Sequence, residues 1–179
     1  MSDSYNHVFK QSLNSINKAL ISGGSSGGEA ALVGAHASLI GIGTDIGGSI
    51  RIPAVLQGLY GLCPTVGRIP NDPSGRTQKY IVLPVAGPIT HDLSSMELYM
   101  ESLLDSEPWD SDPLLYPIPW RCALTQPPQR PLRLAFIIDD GIIKPQPPVE
   151  RIARNVMAKL EGAGHEGADF LDIHSACVI

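Results

Sequence analysis

The chain has 179 residues, of which 43% are hydrophobic and 17% charged, and its formal net charge is −5 at pH 7. These values are typical of one globular domain with a buried core, and they exclude a disordered or strongly basic chain. Because the basic residues are scattered along the sequence, we expect no nucleic-acid partner.

The cysteines and the apolar segments indicate a soluble intracellular protein. Cys63, Cys122 and Cys177 lie far apart and without the spacing of metal ligands, which favours reduced thiols. No apolar run approaches the roughly 20 residues that span a bilayer, and the polar N-terminus lacks a signal-peptide core. We therefore predict a cytoplasmic protein with no membrane span and no bound metal.

The first third of the chain is predicted to alternate short elements with turns. Residues 1–20 are polar and are expected to form an extended lead-in. The pattern then predicts a short buried helix over 29–38, a fully buried strand over 39–43, a turn over 44–49, a helix over 50–56 with Pro53 in its first turn, and a small apolar element over 59–63.

The remaining elements are longer and more widely spaced. Asp92 is a good N-cap for a helix over 93–104. The other predicted elements are a surface loop over 65–79, a turn at Gly87-Pro88 after the apolar residues 81–83, a proline-rich connection over 107–131, a strand over 132–138, an amphipathic helix over 149–160, and the start of a further strand at 170–173.

Two glycine-flanked serine clusters carry the chemistry of the sequence. They are GGSSGG at 23–28 and GGS at 47–49, with an apolar segment between them. Glycines this dense allow backbone conformations that side chains would forbid, and they leave N–H groups free to face a ligand. The pattern therefore indicates a site for a developing oxyanion.

Several phosphate and hydrolase motifs fit this stretch poorly. A P-loop needs a lysine where Ser49 stands, and a dinucleotide fingerprint needs a glycine where Ile46 stands. A nucleophile elbow matches at 24–28 with Ser26 as the nucleophile, but no apolar strand precedes it. Glycine-rich turns whose serines only cap helices remain an alternative.

Long stretches of the chain resemble the amidase signature family, particularly its fungal acetamidase-like and fatty-acid-amide-hydrolase-like branches. The resemblance rests on GGSSGGE at 23–29 and GTDIGGSIR at 43–51, 24 positions apart from Ser25 to Ser49, with agreeing segments at 6–9, 58–65, 87–88, 117–121 and 164–166. It implies an α/β fold with a mixed β-sheet core flanked by helices. It also implies hydrolysis of a carboxylic acid amide to an acid and ammonia or an amine.

The resemblance assigns a role to each residue of the two clusters. It implies Ser49 as the acyl-accepting nucleophile and Ser25 as a bridging serine that follows a cis peptide bond. It implies an oxyanion hole formed by the N–H groups of Ile46, Gly47, Gly48 and Ser49. The implied supporting residues are Ser26, Asp45 and Arg51, with Ser26 bonded to Ser25. A neutral lysine completes the Ser-Ser-Lys mechanism by taking a proton through Ser25. The implied partner is a small-molecule amide, and no cofactor is needed.

The chain departs from the family pattern in two respects. The family's lysine lies in a Val-Lys-Asp context upstream of the bridging serine, and neither Lys10 nor Lys18 has that context. Cys63 stands where the family commonly has a basic residue. We therefore expect one partial amidase-signature domain over 1–179, truncated at both ends, with a core motif at 21–65 and a strand-helix-strand segment at 132–173. The alternative function is an inactive remnant that binds an amide or a partner chain, and a homodimer is left open.

Overall fold

The computed structural model describes residues 3–71, 81–126, 130–139 and 141–169. They divide into two compact units, Met1–Arg121 and Cys122–Ile179, and the division falls inside the predicted connection. In chain order the elements are β1 (Tyr5–Asn6), β2 (Lys10–Gln11), α1 (Gly27–Gly34), β3 (Ile40–Asp45), α2 (Arg51–Gln57), β4 (Tyr60–Gly61), β5 (Val85–Thr90), α3 (Leu93–Asp105), β6 (Arg133–Phe136), α4 (Pro147–Gly162) and β7 (Glu166–Asp169).

The lead-in is extended, as predicted, and folds back on itself as a short antiparallel pair of β1 and β2. Its far end is fastened to the end of α2. The side-chain amide of Asn14 donates to the Leu56 carbonyl at 2.6 Å, and the Ser15 N–H donates to Gln57 Oε1 at 3.0 Å. Asn14 and Gln57 are both buried, so these bonds satisfy polar groups that water does not reach.

The first unit contains an antiparallel three-stranded sheet in the order β3-β5-β4. Strand β3 was predicted to be fully buried over 39–43, and this is wrong in two respects. The strand runs on to Asp45, so the turn begins only at residue 46, and its burial alternates. Gly41 and Gly43 are buried, whereas the Ile42 side chain on the opposite face is 55% exposed. Alternation is the expected pattern for a strand with one face covered.

The turn predicted at Gly87-Pro88 does not exist, because both residues lie inside the fully buried central strand β5. A Cβ at Gly87 would collide with the Leu62 carbonyl and lie 2.9 Å from Pro64 Cδ, so glycine is required there by close packing. Proline lacks an N–H and normally avoids central strands. Pro88 is tolerated beside the short strand β4, where the Leu62 N–H still donates to the Pro88 carbonyl at 3.1 Å.

Helices α2 and α3 agree with the sequence pattern. Helix α1, predicted over 29–38, instead covers Gly27–Gly34 and ends before His36, whose φ of +57° is not helical. Helix α2 holds Pro53 in its first turn and ends at Gly58 in the left-handed conformation, with φ +70°. Helix α3 is capped as predicted, since the Ser95 N–H donates to Asp92 Oδ1 at 2.7 Å. Two apolar clusters join these helices to the sheet, one of Ala30, Ile50, Ala54 and Ile89, and one of Ile69, Ala86, Met100 and Leu104.

The second unit is a β-α-β arrangement in which β6 pairs with β7 in parallel. Helix α4 begins at Pro147, two residues before the predicted start, because proline is well suited to the first turn of a helix. The strand β7 begins at Glu166, earlier than predicted, and the predicted strand residues 170–173 lie outside the described residues.

Candidate active site

Ser49 lies at the junction between the end of β3 and the start of α2. Only 4% of the residue is exposed, and the following residue, Ile50, is fully buried in the apolar cluster beneath it. The preceding glycine, Gly48, has a φ of +113°, a conformation that residues other than glycine rarely adopt. The packing of Ile50 and the glycine turn together fix where the Ser49 backbone lies.

The buried carboxylate of Asp45 organises this turn. Its Oδ1 accepts the Gly48 N–H at 2.6 Å, and its Oδ2 accepts the Ile50 N–H at 3.1 Å and the Arg51 N–H at 3.4 Å. The Arg51 guanidinium adds two bonds, from Nε to Oδ2 at 3.1 Å and from Nη2 to Oδ1 at 3.0 Å. One carboxylate therefore bonds to three backbone groups and one cation of the turn that carries Ser49.

The protonation state of Asp45 follows from these contacts. Burial by itself would raise the pKa of the carboxyl, but the Arg51 side chain and the N–H groups of Gly48, Ile50 and Arg51 hold that pKa well below its usual range. Asp45 is therefore charged at neutral pH. Its charge is balanced by Arg51, whose own pKa is raised by the same pair.

The backbone N–H groups of the turn fall into two sets. The Gly48 N–H is bonded to Asp45, so it is not free to bind a substrate oxygen in this conformation. The N–H groups of Ile46, Gly47 and Ser49 have no acceptor among the described residues. The site thus offers a smaller set of free donors than the family resemblance implied, and Gly48 acts in shaping the turn.

Ser25 lies in the second glycine-rich turn, immediately before α1. The peptide bond from Gly24 to Ser25 is cis. Ser25 is exposed, and its carbonyl accepts the Ser4 hydroxyl at 3.3 Å. Gly24 packs against the backbone of Asp3, and a Cβ at Gly23 would lie 2.9 Å from Leu56 Cδ1, so close packing without side chains shapes this turn.

Ser26 connects the two serine turns. Its N–H donates to the Ser49 carbonyl at 3.2 Å, and its hydroxyl accepts the Thr44 N–H at 3.2 Å and donates to the Thr44 carbonyl at 3.4 Å. We expected the Ser26 hydroxyl to bond to Ser25, but in the described residues its partners belong to Thr44. Two observations argue against the nucleophile-elbow interpretation. The Ser26 hydroxyl is bonded to Thr44, and no strand lies directly before residues 24–28 in the described chain.

Cys63 follows β4 and is close enough to Asp45 and Arg51 to be affected by their charges. Burial raises the pKa of the Cys63 thiol, the negative charge of Asp45 raises it further, and Arg51 opposes both effects. The thiol is therefore neutral at neutral pH, and Arg51 is the cation paired with Asp45 in the part of the chain that the structure describes.

Among residues 3–71, 81–126, 130–139 and 141–169, no group of three histidine, cysteine or acidic side chains is placed to hold a metal ion. No helix within these ranges is long and apolar enough to cross a membrane. Lys10 and Lys18 are exposed residues of the lead-in. Sequence reasoning missed one residue whose side chain reaches β3, Glu29, which bonds to the Ile42 N–H at 3.2 Å.

Comparison with known proteins identifies the family of the chain. The sequence model of the family described as "Amidase" matches residues 1–175. The chain belongs to the amidase family. An acetamidase of Aspergillus oryzae is 38% identical over 173 residues, which are 91% of this chain and 31% of that protein. "Amidase 1" of Gibberella moniliformis is 40% identical over 154 residues, covering 84% of this chain and 30% of its own.

Solved amidase structures share the fold. A fatty acid amide hydrolase superposes with a TM-score of 0.85 at 40% identity, over 94% of this chain and 30% of that one. A bacterial aryl acylamidase of the amidase signature family superposes with a TM-score of 0.78 at 28% identity, over 94% of this chain and 34% of that one. The predicted α/β amidase-signature fold is thereby confirmed. The chain spans about a third of the length of the amidases that it matches.

Proposed function

We propose that the protein hydrolyses carboxylic acid amides to an acid and ammonia or an amine, with Ser49 as the nucleophile. The observation that carries the proposal is the turn at residues 45–51. There Ser49 follows Ile46 and Gly47, whose N–H groups have no acceptor among the described residues, and the charged Asp45 carboxylate fixes the shape of the turn. Such preorganised donors stabilise the oxyanion of acyl transfer.

In the proposed reaction the Ser49 hydroxyl attacks the amide carbonyl and loses its proton to Ser25, whose own proton passes to a lysine amine. The carbonyl oxygen becomes an oxyanion that accepts hydrogen bonds from the N–H groups of Ile46, Gly47 and Ser49. When the tetrahedral intermediate collapses, the C–N bond breaks, and the proton returns through Ser25 to the leaving nitrogen. Water then hydrolyses the ester on Ser49.

The contacts of Asp45 support this assignment electrostatically. A full negative charge close to the turn would oppose an oxyanion, but Arg51 and three backbone N–H groups neutralise it locally. The Gly48 N–H is bonded to Asp45, which leaves the donors of Ile46, Gly47 and Ser49 for the carbonyl oxygen.

The base of the Ser-Ser-Lys mechanism is proposed from the family resemblance alone, since Lys10 and Lys18 lack its sequence context. A small-molecule amide is the proposed substrate class, and the relatives named acetamidase favour a small aliphatic amide. A fungal origin is a further part of the proposal on the ground of resemblance, and a cytoplasmic location is proposed from the widely spaced cysteines and the polar N-terminus.

A fluorophosphonate probe tests the nucleophile, because a reactive serine displaces its fluoride and becomes covalently phosphonylated. We expect labelling of Ser49 that is lost in Ser49→Ala, as judged by peptide mass spectrometry. Ser111→Ala, which removes a hydroxyl from an exposed residue of the same unit, is the matched control and should label normally. Folded protein that does not label would contradict the proposal and favour the inactive binding remnant.

A further inference from the structure

The outer edge of β3 is bound by side chains instead of a strand. Within the described residues, β3 pairs with β5 on one side and with no strand on the other. On that open side the Ile42 N–H donates to Glu29 Oε1 at 3.2 Å, and the Thr44 N–H donates to Ser26 Oγ at 3.2 Å. Alternate N–H groups of a strand point to the same edge, so the two bonds form consecutive rungs of one ladder.

Both side chains come from the start of α1, Ser26 from the residue before the helix and Glu29 from its first turn. Together they form a sequence pattern that usually caps its own helix. Ser26-Gly27-Gly28-Glu29 matches a capping box, in which the serine and glutamate side chains bond to the backbone of their own helix. Here Ser26 precedes α1 without a side-chain capping bond. The serine hydroxyl and the glutamate carboxylate instead reach across to β3.

The glycines of β3 make room for this arrangement. A Cβ at Gly41 would lie 2.8 Å from Glu29 Cγ, and a Cβ at Gly43 would lie 2.7 Å from Ser26 Oγ. The two side chains therefore lie against the strand at the points where it has no side chains of its own. This explains the Gly-x-Gly pattern of β3, for which no nucleotide-binding role was found.

We infer that Glu29 is a positioning residue, whose carboxylate fastens α1 to the edge of β3 and thereby sets the position of the Ser49 turn relative to Ser25. Ser25 lies just before α1 and Ser49 just after β3, so any slip between these two elements changes the separation of the serines. The role requires a hydrogen-bond acceptor, not a charge. Its effect on reaction rate rests on the proposed function, whereas its effect on backbone protection does not.

The test compares Glu29→Ala and Glu29→Gln in the full chain. Glutamine keeps an oxygen acceptor, and alanine has none. Glu97→Ala is the matched control, because Glu97 lies on helix α3 and its side chain makes no hydrogen bond or ion pair within the described residues. Amide hydrogen exchange is followed at Ile42, Gly48 and Ile50, whose N–H groups are hydrogen-bonded in the structure. The rate of fluorophosphonate labelling is separated into the probe's affinity and its maximal rate.

We expect Glu29→Ala to accelerate exchange at Ile42 by about 5- to 10-fold and to accelerate it measurably at Gly48 and Ile50, whose N–H groups are bonded to Asp45. It should lower the maximal labelling rate on the order of 10- to 100-fold, with the probe's affinity nearly unchanged, because misplacement by about 1 Å is enough for such a loss. Glu29→Gln and Glu97→Ala should both stay close to wild type.

Two results would overturn the inference. Exchange in Glu29→Ala that matches wild type at Gly48 and Ile50 would show that the carboxylate does not hold the turn. An equal loss in Glu29→Gln would show that charge, not an acceptor, is needed. If the wild-type protein does not label, the proposed function fails separately, and the exchange rates alone decide whether Glu29 positions the turn.

Discussion

The two serine turns are built by different means. The turn of Ser49 is held by charge and hydrogen bonds, with the Asp45 carboxylate bonded to three backbone N–H groups and to Arg51. The turn of Ser25 is held by shape, with glycines packed against Asp3 and Leu56 where side chains would not fit. Hydrogen bonds to a charged carboxylate fix the direction of N–H groups, whereas close packing fixes only the path of the backbone. In the proposed function the Ser49 turn orients donors toward the substrate, and it is the turn held by the charged carboxylate.

The largest expected effect comes from Asp45→Ala, which would disrupt the turn of Ser49 and leave the turn of Ser25 intact. Removal of a buried acceptor leaves the donors of Gly48 and Ile50 without partners, so we expect a loss of about 3 kcal/mol in the free energy of unfolding. Labelling of Ser49 should fall by more than 100-fold. Urea denaturation and probe kinetics measure the two effects, and an equal loss in Ser111→Ala would show that the assay is not specific.

An intermediate effect is expected where the two turns meet, from Gly43→Ala. The new Cβ would lie 2.7 Å from Ser26 Oγ and should cost about 1–3 kcal/mol of stability through overpacking. Ser26→Gly removes both the Oγ and the Cβ, which would lie 2.7 and 2.9 Å from the new atom, so Gly43→Ala should cost less in that background. Thermal unfolding of the single and double variants measures the coupling, and strictly additive costs would mean that Ser26 does not fill the space beside Gly43.

The smallest effect near neutral pH is the pH dependence of the stability that Asp45 contributes. The pKa of Asp45 is lower in the folded protein than the value of about 3.9 for an unfolded chain. Its stabilising contribution is therefore complete above about pH 4 and is lost as the pH falls further, through the folded pKa. Denaturation from pH 7 down to pH 3 should show this loss in wild type. A variant with Asp45→Asn whose stability fell by the same amount would assign the loss to other groups.

The elements that could be predicted are those in which one local feature decides the structure. Asp92 caps α3 because its carboxylate reaches the Ser95 N–H, and Pro53 fits the first turn of α2 because its missing N–H is not needed there. The amidase pattern of the two serine clusters was also readable, because glycines, serines and Asp45 stand at defined separations along the chain.

Other features depended on contacts between distant residues. The Gly87-Pro88 pair reads as a turn, yet it lies in the central strand because the Leu62 carbonyl packs against Gly87. Likewise, the residue types of the Ser49 turn do not reveal that the Gly48 N–H is already bonded to Asp45. A glycine pattern shows that backbone can approach something closely, but it does not show what approaches.

By itself the sequence determined the family, the helices with capped or proline-containing ends, and which serines lie in glycine turns. Only the tertiary structure decided that Ser26 and Glu29 bond to β3 instead of capping their own helix, that β3 is an outer strand, and that Asp45 holds the turn before Ser49. The physical reason is that the same donors and acceptors can be satisfied locally or across the fold, and packing of α1 against β3 makes the second choice available.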